Sequence, residues 1–171
     1  IGGNASEEFQ VLAQSGEDAI AVSDADDFAA NIELAAALPP VGARPDATVS
    51  LQKVATPGAR TIEQISNFLK VPASRCVKTL LVAGAEGGVV ALVLRGDHEL
   101  NAVKAQKLPG VANPLRMASV AEVLAAAGCE PGFIGPIGLL CPVYADHAAL
   151  LLADFVCGAN ERDVHYTSVN W

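Results

Sequence analysis

Aromatic residues are scarce in this chain: 5% of 171 residues, with one Trp, two Tyr and five Phe. A core built from it must rest on Val, Leu, Ile and Ala, which are plentiful, since 51% of the chain is hydrophobic. That share excludes intrinsic disorder, which needs low hydrophobicity and high charge. No apolar run reaches the roughly 18 residues a membrane-spanning helix needs, so no membrane partner is expected. The start, Ile1-Gly2-Gly3-Asn4-Ala5-Ser6-Glu7-Glu8-Phe9, lacks an initiator Met, a basic head and an apolar stretch. It is therefore not expected to be a signal peptide, and a start without Met reads as a chain that has been processed, trimmed or cut from something larger.

Chemical motifs are missing too. The four cysteines, Cys76, Cys129, Cys141 and Cys157, form no CxxC pair and no zinc-type spacing with histidine. They read as small buried hydrophobes in a reducing, cytoplasmic compartment, and no metal is expected. There is no Ser-His-Asp order, HExxH, P-loop or GxGxxG. Chemistry here would have to be attack by water, assisted by positioned donors. A basic excess is also lacking: the net charge is −8 and the sequence pI about 4.7. A domain that grips nucleic acid by neutralising its backbone should be basic. Contact with RNA is expected to be confined to a tip.

The chain suits one domain, or one domain with an appended strip. Residues 1–45 differ from the remainder. Ser15-Gly16-Glu17-Asp18 reads as a turn and Ala19–Val22 as a short strand. Asp24-Ala25-Asp26-Asp27 then reads as the acidic start of an Ala-rich helix, Phe28 to Leu38, ended by Pro39-Pro40 and a linker. Beyond it, Val49–Val54 reads as a strand. Thr61-Ile62-Glu63-Gln64 has the capping-box form ahead of the helical stripe Ile62, Ile65, Leu69. Val77–Ala83 and Val89–Leu94, separated by the turn Gly84–Gly88, read as a hairpin. Glu99–Leu108 is an expected helix, Ser119-Val120-Ala121-Glu122 a second capping box, and Gly128 its stop. Leu140–Ala145 and Val164–Val169 read as strands. Strands and helices mix without a βαβ rhythm, so the expected class is α+β: a mixed, partly barrel-like sheet surrounded by helices.

Three features could carry chemistry. Lys78 sits among apolar neighbours in Cys76-Val77-Lys78-Thr79-Leu80-Leu81-Val82, where it must snorkel to water, pair with a carboxylate, or face a cleft. The loop Gly132-Phe133-Ile134-Gly135-Pro136-Ile137-Gly138 is a plain turn or a surface whose N–H groups hold an oxyanion. Arg95-Gly96-Asp97-His98-Glu99-Leu100-Asn101 is a site or a charged helix start, with Asp97 or Asn101 as a cap. Asp146, His147 and His165 are further titratable groups near strand ends, and a lone histidine is more often structural.

These segments, in this order, resemble the insertion domain of bacterial-type prolyl-tRNA synthetases. Thr56-Pro57-Gly58-Ala59-Arg60-Thr61-Ile62 comes first, then Val77-Lys78-Thr79-Leu80, then the Arg95–Asn101 segment. Gly132-Phe133-Ile134-Gly135-Pro136, Gly158-Ala159-Asn160 and His165-Tyr166 continue the order. Residues 1–38 look like the catalytic-domain stretch before that insertion. The resemblance implies a segment adjoining the synthetase catalytic domain plus linker over 1–45, and an editing domain over 46–171. That family's domain is similar to stand-alone deacylases of mischarged tRNA and hydrolyses alanyl-tRNA(Pro). A free-standing deacylase and a non-catalytic insertion that positions tRNA are the alternatives. The resemblance implies that Lys78 anchors the terminal adenosine or its phosphate, and that the loop of Gly132, Gly135 and Pro136 offers N–H groups to the carbonyl. His165 would recognise the aminoacyl group, with Thr56 and Asp146 lining the same pocket. The implied partners are the acceptor end of mischarged tRNA(Pro) and the rest of a synthetase chain, homodimeric when complete. No cofactor is implied for the editing module; ATP belongs to the synthetase catalytic domain, whose signature segments this sequence lacks.

Overall fold

The computed structural model describes Gly16 and residues 19–171. The Ile1–Phe9 stretch and, Gly16 apart, the Ser15–Asp18 turn lie outside the described residues. The chain divides into two compact units, Ile1–Ala37 and Leu38–Trp171.

The described part of the first unit is a hairpin of β1 (Ile20–Val22) and β2 (Ala29–Asn31), antiparallel with Ala21 opposite Ala30. The helix expected from Phe28 to Leu38 is therefore not formed. Its acidic start is a turn instead. Ser23 Oγ accepts from the Ala25 and Asp26 N–H groups, and Asp26 Oδ1 accepts from the Phe28 N–H. Short polar side chains that bond neighbouring backbone in this way compete with helix and favour turns. Only one helical turn remains of the Ala-rich pattern: the Leu34 and Ala35 N–H groups both donate to the Asn31 carbonyl.

The second unit carries two three-stranded sheets. One is ordered β3 (Gln52–Ala55), β8 (Val164–Val169), β7 (Phe155–Gly158), all antiparallel. The other is β4 (Val77–Ala83), β5 (Val89–Arg95), β6 (Val143–Ala145). There β4 and β5 form the expected hairpin, whereas β6 joins β5 in parallel. Among the described residues a single parallel bridge, Cys76 to Val156, connects the sheets. The class is α+β as expected, but no closed barrel forms among the described residues.

Helices cover both faces of the β4–β5–β6 sheet, which is why β4 and β5 read as near-continuous apolar runs rather than alternating ones. On one face Leu81 and Ala91 pack with Val123 of α3 (Val120–Ala127) and with Phe133. On the other, Val82, Val90 and Leu92 pack with Ala105 of α2 (Ala102–Ala105) and with Val111. Both capping boxes are made. Thr61 and Gln64 open α1 (Ile62–Leu69), and Ser119 and Glu122 open α3, which Gly128 closes at φ 68. The helix expected over Glu99–Leu108 shrinks to α2, with Asn101 as its N-cap. The apolar stretch after Asp146 divides into α4 (His147–Leu150) and β7. Of the few aromatics, Phe133 and Phe155 are fully buried, and Trp171 packs against Phe155 with ring centres 5.0 Å apart, whereas Phe28 and Phe68 are exposed.

Candidate active site

A cavity of about 240 Å³ lies beside β4, where that strand has β5 along one edge and, from Val77 to Leu80, no strand ladder along the other. Its walls come from α1 and the segment before it (Arg60, Ile62, Ile65), from β4, from the loop at Gly132 and Ile134, and from β7 and β8. Among the described residues that line it there is no Asp or Glu.

Lys78 of β4 lines this space. Its side chain is 19% exposed, and Nζ lies 3.3 Å from Oε1 of Glu99, a carboxylate that is itself 94% exposed. Of the three readings open for this lysine, a cleft and a carboxylate partner are both realised. An ion pair to so exposed a partner contributes little and is easily exchanged for a substrate group.

His165 faces the cavity from β8. It is 5% exposed, and Nδ1 lies 2.7 Å from Oγ1 of the fully buried Thr56. Burial pushes its pKa down to about 4, so the imidazole is neutral at physiological pH. With Thr56 on Nδ1, the ring offers the cavity one polar atom, Nε2, which donates or accepts according to the tautomer. Phe133 packs edge-on at 6.1 Å and fixes the ring plane. Thr56 thus stands behind His165 rather than in the cavity wall.

The Gly132–Gly138 loop is held by close backbone contact. A Cβ on Gly135 would sit 1.8 Å from the Gly158 carbonyl oxygen, and one on Gly158 would sit 2.2 Å from that of Phe133. Only glycine permits this approach. Asn160 ties the loop down further. Its Oδ1 accepts from the Gly135 N–H at 2.8 Å, its Nδ2 donates to the Ile137 carbonyl at 2.7 Å, and its N–H donates to the Phe133 carbonyl at 3.0 Å. The Gly135 N–H is therefore spent inside the protein and offers nothing to a carbonyl. Among the described residues no hydrogen bond engages the N–H of Ile134, which lines the cavity. Gly132 lines it too, while Pro136 does not.

Asp146 is not brought into this group. It caps α4 by accepting from the Ala148 N–H, and Oδ2 lies 3.6 Å from Nδ1 of His98. The Arg95–Asn101 segment is largely structural: Arg95 pairs with Asp97, and Asn101 caps α2. The exception is Glu99, through its contact with Lys78. Cys76 and Cys157 both line the cavity, but burial raises their thiols to about 11 and about 12, so neither supplies a thiolate nucleophile.

Three residues acquire a place here that sequence reasoning did not assign. Arg60 lies at the rim, its guanidinium 5.1 Å over the Phe133 ring and 2.8 Å from Glu130. Asn160 braces the loop. Thr79 is 9% exposed, and its Oγ1 is a buried polar atom with no hydrogen-bond partner among the described residues. Leaving such a hydroxyl unpaired costs about 1–3 kcal/mol. All three stood inside segments whose order had been noted, yet nothing in one-dimensional spacing distinguishes them from their neighbours.

Residues 56–171 match the aminoacyl-tRNA editing domain family. Among solved structures, the chain is similar to a protein proposed as a trans-editing enzyme for prolyl tRNA synthetase. The two share 25% identity over 68% of this chain and 74% of that one, with a TM-score of 0.59. A hypothetical protein is similar at 26% identity over 69% and 79%, with a TM-score of 0.56. A scaffold from computational epitope grafting shares the fold at 24% identity over 69% and 76%, with a TM-score of 0.58. With more than half of its length, and the whole cavity, inside the matched span, the chain belongs to the aminoacyl-tRNA editing domain family.

Proposed function

We propose that this chain is the editing module of a prolyl-tRNA synthetase, hydrolysing the ester of alanyl-tRNA(Pro). The observation that carries the reading is Lys78, a cation that lines the cavity beside β4 together with a neutral His165 and the glycine loop. The need for such an activity is physical. Alanine is smaller than proline, and the methylenes it lacks let a proline pocket discriminate by only about 10- to 200-fold. A second, smaller pocket supplies the rest.

In the reaction, water attacks the ester carbonyl carbon. The bond to the ribose oxygen breaks, that oxygen takes a proton, and alanine leaves as the free acid. Lys78 binds the terminal nucleotide and offsets negative charge as it builds on the carbonyl oxygen. The Gly132 and Ile134 N–H groups, rather than that of Gly135, are the loop donors offered to that oxygen. His165 contacts the aminoacyl group through Nε2, oriented by Thr56. The water is oriented by the loop together with a ribose hydroxyl of the substrate, so these steps call on no cofactor. Asp146 stands outside the cavity lining and caps α4.

Residues 1–45 fit a segment adjoining a synthetase catalytic domain, and their likeness to that stretch favours a module of a larger enzyme. Similarity to a protein proposed as a trans-editing enzyme favours the second reading, a free-standing deacylase. Either way the test begins with release of labelled alanine from pre-formed alanyl-tRNA(Pro), with prolyl-tRNA(Pro) as control. Hydrolysis of the alanyl ester alone, reduced at least about 100-fold in Lys78→Ala, is the expected result. Equal hydrolysis by wild type and variant would remove Lys78 from the mechanism.

A further inference from the structure

The cavity walls differ in charge from the chain that builds them. The chain carries eleven Lys and Arg against nineteen Asp and Glu, yet the charged residues among the described lining are two cations, Arg60 and Lys78. The reading above gives work to Lys78 and none to Arg60.

Arg60 is held more firmly than a solvated arginine needs to be. The Gln64 side chain, part of the α1 capping box, accepts from its backbone N–H at 2.9 Å. Its stem lies against Gly132, where a Cβ would come within 3.1 Å of the arginine's own. Its guanidinium lies over the Phe133 ring and pairs through Nη2 with Glu130, whose other carboxylate oxygen has Arg162 3.5 Å away. The side chain nevertheless remains 45% exposed, and among the described residues no hydrogen bond engages Nε or Nη1.

A planar fork with a fixed orientation and free donors suits a bidentate acceptor, either carboxylate or phosphate. An aminoacyl ester has no free carboxylate, whereas the strand that bears it has a phosphodiester between successive nucleotides. We infer that Arg60 binds a phosphodiester of the CCA end of the tRNA, which makes it a substrate-binding residue that fixes the strand at the rim of the cavity. A contact with so few phosphates keeps the salt dependence of binding shallow.

The inference rests on the editing reading above, and the experiments separate the two. Hydrolysis of alanyl-tRNA(Pro) is compared with that of 3′-O-alanyl-adenosine, the same ester without a phosphate, for the whole chain, Arg60→Ala and Arg60→Lys. Arg60→Ala is expected to lower the ratio of kcat/KM on the tRNA ester to that on the nucleoside ester about 10-fold or more, through KM. Arg60→Lys, which keeps the charge without the fork, should recover part of that ratio. Binding of the trinucleotide CCA is then compared with that of its methylphosphonate analogue, which keeps the bases and lacks the backbone charge. The wild type should prefer the charged strand, and Arg60→Ala should lose most of that preference. Equal losses on the two esters, a fall in kcat alone, or an undiminished preference in Arg60→Ala would overturn the inference, leaving Arg60 a brace for the loop and the editing reading intact. Failure of the wild type to hydrolyse alanyl-tRNA(Pro) would overturn the editing reading, and the trinucleotide comparison would then decide the role of Arg60 by itself.

Discussion

His165 illustrates how a single residue's setting decides its chemistry. From the sequence it was one histidine near a strand end; in the fold it is buried against Thr56 and Phe133, with its pKa near 4. The free imidazole titrates near 6.5, so above that value neither the folded nor the unfolded chain holds the extra proton. Between 6.5 and about 4 the unfolded chain binds a proton that the folded chain refuses, and stability falls as pH drops through that window. Denaturant unfolding at pH 7 and pH 5 should show a loss of about 2 kcal/mol from this group, and His165→Asn should remove that part of the slope. Asp154 behaves separately. Hydrogen bonds from Thr48 and Asn170 hold its carboxyl down at about 2, so its contribution is lost only at lower pH. Lys78 was legible from the sequence because an isolated charge in an apolar strand is conspicuous. Thr79 was not, because a threonine in a strand is ordinary and its missing partner is a three-dimensional fact.

At the scale of elements, the strongest local signals were those whose partners lie within a few residues. Both capping boxes and the β4–β5 hairpin formed where the spacing placed them. The helix after Asp24 did not, because Ser23 and Asp26 turn the backbone before it can start. The glycine loop shows the opposite dependence. Its shape comes from Gly158 and Asn160, more than twenty residues away in sequence, so its role as a braced wall was not readable from its own glycines. Asn160→Ala would leave the Gly135 N–H and the Ile137 carbonyl without their partner. The expected cost is about 1–3 kcal/mol in denaturant unfolding. Because the loop carries the Ile134 N–H, the same variant should also lower kcat for ester hydrolysis, whereas an effect on stability alone would show that the loop position does not matter to the chemistry.

For the whole molecule, charge is divided unevenly. All eleven Lys and Arg lie at or beyond Arg44 with eleven of the nineteen Asp and Glu, while the first 43 residues hold the other eight acids and no base. The acidity belongs to the N-terminal segment, and the part that carries the cavity is neutral overall. A chain of residues 38–171 should therefore bind tRNA weakly and with a shallow dependence on salt, in contrast to a protein that neutralises many phosphates. It should also unfold at the same denaturant midpoint as the whole chain, since among the described residues every core cluster lies beyond residue 58; a lower midpoint would mean that the N-terminal unit supports the second. The division of labour between sequence and structure follows from range. Hydrophobic periodicity, caps and turns act over a few residues, so the α+β class, the hairpin, two capped helices and the order of family segments were determined by the sequence itself. The parallel seat of β6, the single bridge between the sheets, the loss of the Gly135 N–H to Asn160 and the unpaired Thr79 hydroxyl arise from contacts between distant segments. Those contacts exist only once the core has closed around them.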